Sequence, residues 1–230
     1  MGTMTGTWRK TVAVGAMMLA PQLLIAQGSV SGQLTLLEKP GAASTDLATA
    51  VIYLVPAKPA EERLKATRSS ITMSDREFTP HVVVMTPGST VRFVNQDPFE
   101  HNAFSNSPSG NFDFGLSDRG ATVQKKLPKA GVYPVFCNIH ARMAAFVLVV
   151  PTEYFTLAGS DGHFTINEVP AGEYTLVAWH QRGGQLTRPV KVGSSGLTDL
   201  ALQLDARGFR PKEHKNKYGK DYKSDTGDRY

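Results

Sequence analysis

Apolar residues recur along most of this chain in short runs separated by turn residues, and such runs read as β-strands. Residues 29–37 (SVSGQLTLL) alternate between apolar and polar positions, whereas 50–55 (AVIYLV) form a continuous, β-branched run. From residue 70 the runs are short and evenly spaced, near 70–73, 81–86, 90–95, 101–105, 121–126, 131–137 and 144–150. The stretches 82–84 (VVV) and 146–150 (FVLVV) carry no polar position and read as core. Residues 106–120 are rich in Gly, Pro, Ser and Asn and read as a loop, with room for one edge strand around 112–116. A further series covers 154–157, 162–166, 172–179, 186–192 and 197–204. The pattern predicts an all-β chain built from antiparallel sandwiches.

The two ends depart from this pattern. Trp8-Arg9-Lys10 precedes an apolar segment, 11–25, and Leu24-Ile25-Ala26 offers a small residue for cleavage. A segment of fifteen residues is too short for a comfortable membrane span. Residues 1–26 are therefore expected to be a secretory signal peptide, giving a periplasmic or secreted protein with no stable membrane insertion after cleavage. The other end, 205–230, is basic and poor in apolar residues, and it is expected to be a disordered tail. It carries most of the chain's net charge of +5. Such a charge biases encounters toward acidic partners, and export argues against nucleic acid. Residues 56–68 are polar and read as a linker.

Chemistry concentrates in 137–143 (CNIHARM), which offers a thiol, an imidazole and a thioether at three-residue steps. A second imidazole, His101, lies in Glu100-His101-Asn102-Ala103-Phe104. Two His, one Cys and one Met are the donors of a blue-copper electron-transfer site. His101, Cys137, His140 and Met143 are the candidate ligands of one type 1 copper. Two plainer readings stand beside this one. A lone Cys or Met is commonly a core residue, and zinc also takes Cys with two His, though seldom a thioether. Cys137 is the only cysteine, so no intramolecular disulfide can protect it in an oxidising compartment, whereas a metal can.

The surrounding residues resemble the cupredoxins, the plastocyanin-like single-copper proteins. The stretch 78–101 (FTPHVVVMTPGSTVRFVNQDPFEH) is similar to their strand, Pro-Gly turn, strand ending in Val-Asn-x-Asp, short loop and ligand His. The stretch 131–137 (GVYPVFC) resembles their strand leading into the copper Cys, and Cys-x2-His-x2-Met resembles the short loop of amicyanin-type members. The resemblance implies a Greek-key β-sandwich over 69–151. It also implies that Asn102 supports the ligands from behind them. It implies too that His140 is the electron port, rimmed by Pro98, Phe99, Ile139 and Ala141. Residues 161–176 (DGHFTINEVPAGEYTL) resemble a carboxypeptidase regulatory-like domain, a small prealbumin-type sandwich. Residues 27–62 and 152–204 are expected to supply its two halves, with the cupredoxin inserted between them.

His81 begins one apolar run and His180 ends another, and both are candidates for an extra site. His163 and His214 read as turn and tail. Phe136 and Asn138 flank Cys137, so there is no His beside the thiolate to pass electrons to further copper centres, and an enzyme is not expected. The expected function is copper-based electron transport to a redox partner protein, acidic if the basic tail steers it. The whole arrangement is similar to secreted proteins of the methylamine-utilisation type. The alternatives are copper delivery or storage, and a regulatory-like domain that binds carbohydrate or a partner beside a merely structural copper.

Overall fold

The computed structural model describes residues 2, 27–42, 44–58, 63–211 and 214–222. Apart from Gly2, the expected signal peptide lies outside them, as do 59–62 of the expected linker. No helix among the described residues is long and apolar enough to cross a membrane. The described residues hold strands and one short 3-10 turn, Leu47–Thr49.

Four sheets stack in layers. The first has β1 (Gln27–Leu37) between β13 (His163–Pro170) and β16 (Leu197–Asp205). The second runs β12 (Phe155–Leu157), β2 (Val51–Pro56), β14 (Gly172–His180), β15 (Gly184–Val192). The third runs β5 (Val82–Met85), β11 (Ala144–Val149), β10 (Gly131–Phe136), β7 (His101–Ser105), β8 (Phe112–Ser117). The fourth runs β4 (Glu77–Thr79), β3 (Arg68–Ser74), β6 (Ser89–Asn95), β9 (Thr122–Leu127). The chain leaves the second sheet after β2, builds the third and fourth sheets, and returns as β12, which pairs antiparallel with β2.

Side-chain alternation explains the layering. In β2, Ile52 and Leu54 point into the core between the first two sheets, while Val51 and Tyr53 point the other way. In β11, Ala145, Val147 and Val149 enter the core between the third and fourth sheets, while Phe146 and Leu148 meet Val51, Val82 and Trp179. Alternate residues of a strand face opposite sides of its sheet, so a strand covered on both faces has no position left for a polar residue. This is why 50–55 and 146–150 read as unbroken apolar runs. Each large side chain buried between the middle sheets contributes about 1.5–3 kcal/mol, which holds the two sandwiches together.

One corner device occurs twice. Gly131-Val132-Tyr133 starts β10, and the Tyr133 hydroxyl donates to the Lys129 carbonyl at 2.8 Å. Gly172-Glu173-Tyr174 starts β14, and the Tyr174 hydroxyl donates to the Pro170 carbonyl, also at 2.8 Å. A buried phenol bonded four residues back ties each strand to the turn that precedes it, as sandwich corners do. Thr86-Pro87-Gly88-Ser89 closes the turn before β6, with Gly88 at φ 86° and Ser89 N–H donating to the Thr86 carbonyl. Proline then glycine at the two central positions is what this turn requires.

Most expected strands are present, and β8 occupies the edge position allowed in the 106–120 loop. The pattern missed β4, three residues long, and the turn Leu47–Thr49, both too short to show a period. The tail differs most from expectation. Asp205 is the last residue of β16, and the described part of 206–222 folds back onto the third sheet instead of standing free.

Candidate metal centre

The centre lies at one end of the third sheet. His101 opens β7, and Cys137 directly follows β10. The loop to β11 is a closed turn, in which Cys137 N–H donates to the Met143 carbonyl and Met143 N–H to the His140 carbonyl, both at 3.1 Å. That turn folds His140 back over Cys137. The Cys137 sulfur lies 4.0 Å from His101 Nδ1 and 3.6 Å from His140 Nδ1. One donor atom from each of the three residues falls within 4.8 Å of the others, and no other such trio of His, Cys, Asp or Glu occurs among the described residues. Met143 is buried beneath the loop in the same core as Cys137.

These separations fit one ion. Imidazole and thiolate bonds of about 2.0 and 2.3 Å, spread trigonally, set the donor atoms about 3.7 Å apart. Neither His Nδ1 nor the sulfur is turned toward another acidic group; they face each other. The electrostatics agree. Burial pushes the Cys137 thiol up. Bonds from His101, His140 and the backbone N–H groups of Asn102 and Ile139 outweigh it and bring the thiol down to about 6. A metal ligand must be the thiolate, so the site favours the form a metal needs.

His101 is held from behind. Its Nε2 lies 2.6 Å from Asp97 Oδ2 in a fully buried contact on the His side. Asp97 also accepts the backbone N–H groups of Asp75 and Arg76 at 2.8 and 3.0 Å. Burial raises the Asp97 carboxyl, but His101 and those two N–H groups outweigh it and hold it low. Burial likewise disfavours charge on His101, and Cys137 and Asp97 together raise its pKa. Asn95 pins the loop that carries Asp97, donating to the carbonyls of Phe99 and Ser117 at 2.8 Å and accepting from Asp97 N–H at 3.0 Å. A carboxylate behind a ligating imidazole fixes its orientation and tautomer. Sequence reasoning passed over both residues. Their signal was the Val94-Asn95-Gln96-Asp97 stretch, used only as a mark of resemblance.

Other candidates fall variously. The Asn102 backbone N–H serves the Cys137 sulfur, while its side chain turns away to Asp113 Oδ1 at 2.8 Å and the Gly115 carbonyl at 2.7 Å. His140 is half-buried, Pro98 is exposed, and Ile139 is 42% exposed, so one side of the loop is open. Phe99 sits edge-on to His101 at 5.2 Å and tilted to His140 at 5.9 Å, with the Arg76 guanidinium over its face. Ala141 lines a cleft shared with tail residues Phe209 and Pro211. His81 and His180 have other partners. His81 Nε2 meets Gln181 Oε1 at 2.8 Å. His180, fully buried, meets Thr49 Oγ1 at 3.2 Å and the Asp46 carbonyl at 3.3 Å.

The tail was missed as part of this region. Tyr222 donates its hydroxyl to the Cys137 carbonyl. His214 stacks on Phe136 with ring centres 4.3 Å apart. Lys217 N–H donates to Asn138 Oδ1 at 3.0 Å, and its ammonium pairs with Asp113. Burial and the neighbouring Cys137 push the Tyr222 phenol up, so it stays a donor. The sequence signal was Phe209 and Tyr222, aromatic residues that a merely solvating tail does not need.

Part of the chain is similar to known proteins. Over 73 residues the chain is 34% identical to plastocyanin of Ulva arasakii, a match covering 28% of this chain and 74% of the relative. Plastocyanin of Ulva pertusa matches to the same extent. The chain belongs to the plastocyanin family. Membership points to a copper-binding electron-transfer protein, and the donor set fits that ion. Among solved structures, a purple cupredoxin from Nitrosopumilus maritimus is 20% identical, with 36% of this chain and 99% of that one covered and a TM-score of 0.33. Amicyanin from Paracoccus versutus is 21% identical, with 43% and 97% covered and a TM-score of 0.34. A separate family profile, described as polysaccharide lyase family 4, domain II, matches residues 151–200. Those residues span β12 to β15 and the start of β16, and the description differs from the regulatory-like domain expected from 161–176.

Proposed function

We propose that this plastocyanin-family chain is a single-copper electron carrier, with His101, Cys137, His140 and Met143 holding one type 1 copper. The observation that carries the reading is the convergence of the two Nδ1 atoms and the buried sulfur on one point. Bound copper would supply a one-electron couple; the residues supply everything that keeps it in place. Asp97 orients His101, the closed 137–143 turn holds Cys137 and His140, and Met143 closes the site from the core. A donor set held by the sheet and its hydrogen bonds need not rearrange when charge changes. His140 is the port in this reading, with Phe99, Pro98 and Ile139 as an apolar rim suited to small, short-lived redox contacts. The partner is a redox protein, and basic residues such as Arg142 favour an acidic one. The chain works in the periplasm or outside the cell, a reading that rests on the apolar segment 11–25. The 69–151 segment is an inserted domain, a reading supported by the pairing of β12 with β2 at its two ends. The flanking strands then form one prealbumin-like unit, and the whole chain is of the methylamine-utilisation type. No enzymatic step is assigned.

The rival is copper delivery or storage. Cycling the copper-loaded protein with mild reductant and oxidant beside a chelator separates the two. A carrier bleaches and recovers its visible band while keeping its copper. A delivery protein gives its copper to the chelator when reduced.

A further inference from the structure

We propose that residues 214–222 are a built-in strap over the metal loop, with Tyr222 as a positioning residue for Cys137; this rests on the copper reading above. Three contacts join the strap to the segment that carries the thiolate. Tyr222 donates its hydroxyl to the carbonyl of Cys137 itself. His214 covers the ring of Phe136, the residue before Cys137, and its Nδ1 lies 3.1 Å from the Tyr222 hydroxyl. Lys217 N–H holds the side chain of Asn138, the residue after Cys137. A fourth contact reaches the other ligand strand. The Lys217 ammonium meets Asp113 Oδ2 at 2.8 Å, and the other oxygen of Asp113 accepts from Asn102, which follows His101.

The loop itself explains what the strap does. Within 137–143 the Cys137 N–H, the Met143 N–H and the Ile139 N–H all bond inside the turn, the last to the Cys137 sulfur at 3.4 Å. The Cys137 carbonyl and the Asn138 side chain are instead satisfied by the tail. The Cys137 carbonyl orients the 137–138 peptide, and that peptide sets how Ile139 N–H and the sulfur meet. Holding the carbonyl therefore fixes the thiolate. The positive end of the Tyr222 O–H dipole also faces the Cys137 segment, which favours the more electron-rich, reduced state of the centre. The strap also covers one face of Phe136 through the stacked His214 ring.

The test compares wild type, Tyr222→Phe and, as control, Tyr218→Phe, whose ring is 71% exposed. Tyr222→Phe keeps the ring beside His214 and removes only the hydroxyl, so the fold is not at risk. Two readouts are taken. Amide hydrogen exchange of residues 138–140 in the metal-free protein is expected to quicken roughly five-fold in Tyr222→Phe, the factor one net hydrogen bond sustains, and not in the control. The reduction potential of the copper-loaded protein is expected to shift downward in Tyr222→Phe alone. Equal amide exchange in wild type and Tyr222→Phe overturns the strap whatever copper does. Faster exchange with an unchanged potential overturns the tuning of the centre by Tyr222. Faster exchange in a protein that never forms a copper–thiolate band leaves the strap standing and removes the copper reading instead.

Discussion

The two sandwiches are made of the same materials and treat their polar groups in opposite ways. The core between the first two sheets is wholly apolar, from Val30 and Leu34 to Leu202 and Leu204. At one end of it Arg182 is gripped by both carboxylate oxygens of Glu38 and of Asp46. Buried His180 sits beside them, satisfied by Thr49 and Asp46. In the other sandwich Asn95, Asp97, His101 and Cys137 are buried at the end of the sheet. Asn95 and Asp97 are bonded inside the protein, but the Nδ1 atoms and the sulfur have chiefly one another. A buried polar group costs stability unless it is paired. Among the described residues, the first sandwich has no buried side-chain polar atom without a partner; the other aims three donors at a common point. That difference, more than the fold, marks where a ligand belongs.

The largest expected effect breaks the support on the metal side. Asp97→Asn keeps the shape but removes the charge behind His101. Copper affinity should fall about 10- to 100-fold, the usual cost of losing such a partner, and the metal-free protein should melt lower too, because both Asp97 oxygens accept backbone N–H groups and the amide replaces one of them with a donor. Competition titration against a chelator measures it. An unchanged affinity would mean that Asp97 only pins the loop.

The matching cut on the other side is Arg182→Ala. It strands two carboxylates whose side chains are only 12% and 23% exposed, and should cost about 2 kcal/mol, less than the 3–5 of a fully buried pair. Arg182 holds the carboxyls of Glu38 and Asp46 below their ordinary values. Their stabilisation is therefore complete above the ordinary carboxylate value of about 4 and is lost as pH falls through the depressed values. Burial lowers His180 as well, so wild-type stability starts to decline below about pH 6.5. Arg182→Ala should flatten the acid part of that curve and leave copper affinity alone. Trp179, between the sandwiches, reports the unfolding by fluorescence.

The smallest effect concerns the rim. Ile139→Glu changes an exposed side chain, so the visible spectrum should persist while electron exchange with an acidic redox protein slows a few-fold, more at low salt than at high salt. Equal rates at all salt concentrations would move the port elsewhere.

Much of the centre was legible because its donors are chemically unusual and closely spaced. Cys137, His140 and Met143 share one short loop, and only His101 had to be brought in by the fold. The strands were legible wherever alternation ran for five residues or more. Asp97 was not, because an Asp in a loop before a His reads as a turn residue, and only the fold shows it behind the imidazole. The tail was not, because composition reports solvation and not the few aromatic contacts that anchor 214–222. The ion cluster at Arg182 joins residues up to 144 apart, and no local pattern records that pairing.

The central claim is that His101, Cys137 and His140 converge to bind copper. It is tested most directly by titrating purified protein with Cu(II) while recording the visible spectrum, with Cys137→Ser alongside. The account predicts an intense thiolate-to-copper band that saturates at about one equivalent in wild type and is absent in Cys137→Ser. A wild-type protein that binds no copper, or a band that survives in Cys137→Ser, would contradict it.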